Sequence, residues 1–123
     1  MWSRYRQTEK NIGVAPWQIA GSVLNLVADT RVRIADATTS RWPIDDISVR
    51  FHHRLVSIHP FPNGNGRHSR AATDLLLIAR NGTPFTWGRQ NLNDAGEVRS
   101  RYIAALRSAD AHDLGPLRAF VRS

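Results

Sequence analysis

The stretch from His59 to Arg70, HPFPNGNGRHSR, constrains the fold most, because it interrupts two long runs of apolar residues at helical spacing. Upstream, Ile44, Ile47, Phe51, Leu55 and Ile58 recur every three or four residues and predict a helix, with Pro43 suited to its opening turn. Asp45 and Asp46 add negative charge at the positive end of that helix dipole. Pro60 disfavours helical geometry at the residue before it, so the helix ends near His59 and delivers an imidazole to the mouth of the break. Downstream, Ala72, Leu75, Leu76 and Ala79 predict a second helix with one apolar face, stopped by Asn81 and Gly82. Between the two, Gly64 and Gly66 flank Asn65. A backbone free to take positive φ there can turn successive N–H groups toward one point as an anion-binding nest. Arg67 falls where the next helix begins, and a helix N-terminus adds unpaired donors of its own. The stretch reads as a phosphate cradle with a base beside it.

The rest of the chain reads as helical scaffold. Ile19, Val23, Leu26, Val27, Thr30 and Ile34 predict a long helix. Asn93 or Asp94 can cap another, with Val98, Tyr102, Ala105, Leu106 and Ala109 as its stripe, and a short helix burying Leu117, Phe120 and Val121 follows Asp113. The TPFTWG segment from Thr83 is an extended connector. Charge, then Asn11, Gly13 and Pro16, suggest two short extended pieces joined by a turn over residues 4–16. The expected architecture is one all-α domain over residues 1–123, with a small β-hairpin near the N-terminus.

Composition narrows the chemistry. The chain has no cysteine, so a thiolate site is excluded and any metal rests on harder ligands, which favours Mg²⁺. No apolar run approaches the ~20 residues of a membrane span, and the N-terminus has no apolar stretch behind its charges, so a cytoplasmic protein is expected. The net charge of +7 is dispersed along the chain and suits a nucleoside triphosphate as well as a polynucleotide. No helix-turn-helix or aromatic stacking platform supports nucleic acid as the partner. His52 and His53 are adjacent on a helix and face different ways, so one packs and the other meets solvent. A zinc site built from them with His59 and His68 lacks a suitably spaced carboxylate.

The order helix, HPFxxGNGRxxR, helix is similar to the signature of the Fic/Doc family, matching at His59, Pro60, Phe61, Gly64, Asn65, Gly66, Arg67 and Arg70. The wider text RWPIDDISVRFHHRLVSIHPFPNGNGRHSR, with PFTWG and RYIAALRSADAHD, resembles the subgroup called mobile mystery protein B over the whole chain. This resemblance implies a Fic-like bundle that transfers AMP from ATP to a Ser, Thr or Tyr hydroxyl of a target protein. His59 would be the general base, an imidazole being able to take a hydroxyl proton near neutral pH. Gly64, Asn65 and Gly66, with Arg67 and Arg70, would bind the nucleotide phosphates, Arg67 also stabilising charge on the transferred group. Phe61 would anchor the loop, and residues 6–16 would form a flap that clamps the target peptide by strand pairing. The resemblance also implies N-terminal helices in longer relatives and, as in the family's toxin and antitoxin pairs, a separate regulator protein.

The sequence departs from the family pattern at Asn63, where the motif carries Asp or Glu that holds Mg²⁺, or Mn²⁺ in its place. An amide oxygen is an uncharged ligand, so weaker metal binding is expected. An alternative is therefore a degenerate Fic fold that binds nucleotide or a partner without turnover. Gly66, where Doc-like kinases carry Lys, favours AMP transfer over phosphate transfer. Oligomeric state has no signature in the sequence.

Overall fold

The computed structural model describes residues 5–8, 13–37, 43–90 and 94–123. A short 3₁₀ turn at Pro16–Gln18 leads into helix α1 (Ile19–Ala37), followed by α2 (Ile44–Ile58), α3 (Asn65–Ala79), α4 (Ala95–Asp110) and α5 (Gly115–Val121). Local signals set these bounds. Pro43 precedes the first residue of α2, and Pro60 confines it to Ile58, leaving His59 as a left-handed cap at φ 52°. Asp94 caps α4 by accepting from the Glu97 N–H at 2.8 Å.

Helix α2 is the hub, packing against α1, α3 and α5. Its buried side chains therefore run round more of its circumference than a single stripe: Val49 and His52 are as inaccessible as Ile47, Leu55 and Ile58. One apolar cluster joins Val49 to Leu77, Phe85, Trp87, Leu117, Phe120 and Val121, and a second joins Leu55 and Ile58 to Ile19 and Leu26. Each fully buried aliphatic side chain contributes about 1.5–3 kcal/mol. Ion pairs tie the outer helices to the hub: Arg54 to Asp29 at 2.7 Å, and Arg122 to both oxygens of Asp45 at 2.7 and 2.9 Å. The two acids expected to favour the α2 dipole thus also hold α5, since Arg118 meets Asp46 at 2.6 Å.

Two sequence expectations are corrected. The expected N-terminal β-hairpin is not formed by the described residues: 5–8 and 13–15 contain no strand, and residues 9–12 lie outside the described set. The reason is that the backbone N–H groups of both arms bond to carbonyls at and just after the end of α2. The Arg6 N–H donates to Pro60 O at 2.7 Å and the Val14 N–H to Ile58 O at 3.3 Å. The buried face of α3 is also not the one apolar spacing marks. Leu75 is 66% exposed and Ala79 is exposed, while Asn65, Ser69, Thr73 and Leu77 are buried. Ser69 donates to Asn65 O and Thr73 to Ser69 O, so each hydroxyl is satisfied by the carbonyl four residues back and can be buried at little cost. Among the described residues, no helix is long and apolar enough to cross a membrane.

Candidate functional site

The loop between α2 and α3 is held by one buried amide. Asn65 Oδ1 accepts from the Phe61 N–H at 2.9 Å, and its Nδ2 donates to Phe61 O at 2.8 Å. These two bonds orient the amide and close the loop. The second Nδ2 proton points at His59 Nε2, 3.2 Å away. Because an amide nitrogen only donates, His59 Nε2 is the acceptor and the ring carries its proton on Nδ1. An unprotonated Nε2 at the loop mouth is the form a general base requires. Phe61 anchors the loop as expected: it is 4% exposed and packs on Tyr5 and, edge-on, on His68 at 4.6 Å. Burial pushes His68 below the ordinary histidine range.

The backbone of His59 is fixed from behind by Arg6, a residue that apolar spacing does not single out. Arg6 is 2% exposed. Its Nε donates to His59 O at 2.8 Å, and its Nη groups reach Thr8 O at 2.9 Å, Val14 O, and Ile58 O at 3.4 Å. A guanidinium is thereby neutralised by carbonyl dipoles, including those at the negative end of α2. Gly13 completes this clamp. At φ +84°, a Cβ there would lie 2.6 Å from His59 Cβ, so only glycine lets the N-terminal segment close on the loop.

Helix α3 begins at Asn65, with Gly64 left-handed at φ 73° as its cap. The first helical bond runs from the His68 N–H to Gly64 O, so the N–H groups of Asn65, Gly66 and Arg67 have no partner one turn back in the helix. The positive φ expected for the nest occurs at Gly64. Gly66 is instead helical, and its missing side chain leaves space that Arg70 uses, with Nη1 lying 3.3 Å from where a Cβ would stand. Arg67 and Asn63 are exposed.

Beside this terminus opens a cavity of about 1070 Å³ between α3, α4 and the connector that follows α3. Gly66 and Arg70 are the expected site residues that line it; His59, Asn63 and Gly64 lie in the loop next to it, and Asn65 and Arg67 in the first turn of α3. Its other walls include Asp74, Trp87, Arg89, Arg99 and Tyr102, none of which the sequence marked as functional. The PFTWG segment was the available signal. Trp87 takes a left-handed φ of 53° and donates Nε1 to both Asp74 oxygens at 3.1 Å, which pins the connector to α3.

The Fic/DOC family model matches residues 4–77. The chain belongs to the Fic/DOC family. A protein adenylyltransferase fic-1 from Caenorhabditis briggsae is 36% identical over 101 residues, spanning 81% of this chain and 18% of that protein. The fic-1 of Caenorhabditis elegans is 36% identical over 87 residues, spanning 71% of this chain and 15% of its own length. The chain thus spans about a sixth of the length of these relatives. A solved C. elegans Fic-1 superposes with a TM-score of 0.67 at 27% identity, covering 97% of this chain and 33% of that one. A Fic domain containing signaling protein from Bacteroides thetaiotaomicron shares the fold, with a TM-score of 0.69 at 19% identity over 94% of this chain and 43% of its own.

A divalent ion was expected at Asn63. Among the described residues no three His, Asp or Glu side chains gather as a metal site. Asn63 offers one hard, neutral oxygen on an exposed loop. That donor fits Mg²⁺ carried in by phosphates and retaining its waters, and does not fit an ion caged by protein.

Proposed function

We propose that this chain is a Fic-type adenylyltransferase domain that moves AMP from ATP to a Ser, Thr or Tyr hydroxyl of a target protein. The observation that carries the reading is His59 Nε2, unprotonated and held by Asn65, next to a helix terminus and an adjoining cavity of nucleotide size. In the proposed reaction the target hydroxyl oxygen attacks the α-phosphorus and its proton passes to His59 Nε2. The bond from the α-phosphorus to the bridging oxygen breaks, and pyrophosphate leaves. The N–H groups of Asn65 and Gly66 and the Arg67 guanidinium would meet the developing phosphate charge, while Arg70, along the open face of Gly66, would hold the nucleotide in the cavity. Asn63 would lend its amide oxygen to Mg²⁺ or Mn²⁺, whose charge supports the departing pyrophosphate.

We place the reaction in the cytoplasm, under the control of a separate antitoxin-like protein. The test is incubation with α-labelled ATP, Mg²⁺ and cell lysate. Label should appear on protein with the native chain and be lost with His59→Ala; equal labelling by both sinks the reading. A second reading, nucleotide binding without turnover, is favoured by the missing carboxylate at Asn63. It predicts ATP binding by calorimetry with no product, and no product from Asn63→Asp either.

A further inference from the structure

Histidine 52 lies two helical turns before His59 and has no access to solvent. It is packed against the rings of Trp87, at 4.5 Å, and Tyr102, at 5.8 Å. Burial drives its pKa down to about 3, so the ring is neutral, with one donor and one acceptor nitrogen. Which is which follows from its neighbours. Thr73 has a single hydroxyl proton and donates it to Ser69 O at 2.7 Å. Toward His52 Nδ1, 3.3 Å away, Thr73 can therefore only accept, and Nδ1 carries the proton. Nε2 is left as the acceptor and takes the Tyr102 hydroxyl proton at 2.7 Å. Tyr102 then has only lone pairs to offer, and its neighbour Arg70, whose guanidinium carbon lies 5.8 Å from the centre of the Tyr102 ring, is a group that only donates.

We propose that His52 and Tyr102 are positioning residues which fix Arg70 at the mouth of the cavity, through a one-way chain from Arg70 to Tyr102, His52, Thr73 and Ser69 O. The chain has a required polarity. With the proton on Nε2, His52 would donate to Tyr102, whose own proton would then point at the guanidinium and push it away. The Ser69 and Thr73 hydroxyls buried on α3 acquire a purpose on this account, since they set the tautomer from which the rest follows. The end of the chain lies against Gly66, in the first turn of α3. The link to nucleotide rests on the adenylyltransferase reading; the hydrogen-bond direction does not.

The experiment has two arms. In the native protein labelled with ¹⁵N-histidine, long-range ¹H–¹⁵N spectra should show His52 as the neutral Nδ1–H tautomer throughout neutral pH; an Nε2–H tautomer or a charged ring overturns the relay. In the second arm, Mg-ATP affinity and kcat are compared for Tyr102→Phe, Arg70→Ala and the double variant, with near-ultraviolet circular dichroism confirming native packing. Tyr102→Phe should weaken ATP binding about tenfold with kcat little changed, and the double variant should be no weaker than Arg70→Ala alone. Additive losses would show that Tyr102 does not act through Arg70 and overturn the proposal. A native chain that binds no ATP would refute the nucleotide reading instead, and the relay is then decided by the tautomer.

Discussion

His52 and His59 lie on one helix, seven residues apart, and the structure makes opposite uses of the same side chain. His52 is sealed among Trp87, Tyr102 and Thr73, and both ring nitrogens have assigned roles that solvent cannot exchange. His59 sits at the left-handed cap where the helix stops, its carbonyl clamped by Arg6 and its Nε2 touched by a 3.2 Å bond from Asn65. Burial with complete hydrogen bonding yields a fixed acceptor; a partly open cap whose Nε2 accepts from an amide yields a base that can receive a proton. Helix α3 serves both, because Asn65 holds His59 while Ser69 and Thr73, one and two turns later, set His52.

Changes at the two histidines should therefore separate chemistry from stability. The largest effect is expected at His59. Removing the base by His59→Ala should lower the labelling rate by about 10²- to 10⁴-fold while leaving the unfolding midpoint nearly unchanged. A shift in midpoint as large as that of a core variant would show that His59 is structural like His52. Next comes Arg6, which contributes to the loop side of the comparison only through the backbone. Arg6→Ala strands several buried carbonyls and should cost about 3 kcal/mol in urea unfolding, with Arg6→Lys recovering only part because an ammonium lacks the planar fork.

The third test uses pH. Burial holds His52 near 3 when folded, below the ordinary 6.5 that the unfolded chain regains. As pH falls the unfolded state therefore takes the proton first, so this stability is complete above about 6.5 and drains as pH falls toward about 3. Between roughly pH 6.5 and 5 the loss should be about 2 kcal/mol. His68, also lowered by burial, acts in the same direction. Urea unfolding across this range should show a flatter slope in His52→Gln than in the native chain, and an unchanged slope would contradict the buried neutral ring. The smallest effect is expected at Asn63. Asn63→Asp should tighten the Mg²⁺ dependence of labelling on the order of tenfold without moving stability, as measured by metal titration of the rate.

Much of this arrangement was legible in the chain itself, and the reason is locality. Pro60 ending α2 at Ile58, Asp94 capping α4, Gly64 in the left-handed region and the HPFxxGNGRxxR spacing all depend on neighbours a few residues away. What the tertiary structure decided has longer reach. Apolar spacing assigned α3 to Ala72, Leu75, Leu76 and Ala79, yet the helix buries Asn65, Ser69 and Thr73, because hydroxyls bonded to their own helix lose the polarity that a hydrophobicity pattern counts against them. The N-terminal arms read as a hairpin because turn residues such as Asn11, Gly13 and Pro16 cannot reveal that Arg6 and Val14 bond to carbonyls more than forty residues away. His52 was readable as a packing residue, but its proton's location was not, since Tyr102 and Thr73 reach it from two other helices. Local sterics thus set where each helix starts and stops and where the left-handed turns fall. Only packing determines which polar groups share a buried space, and that sharing assigns each its donor or acceptor role.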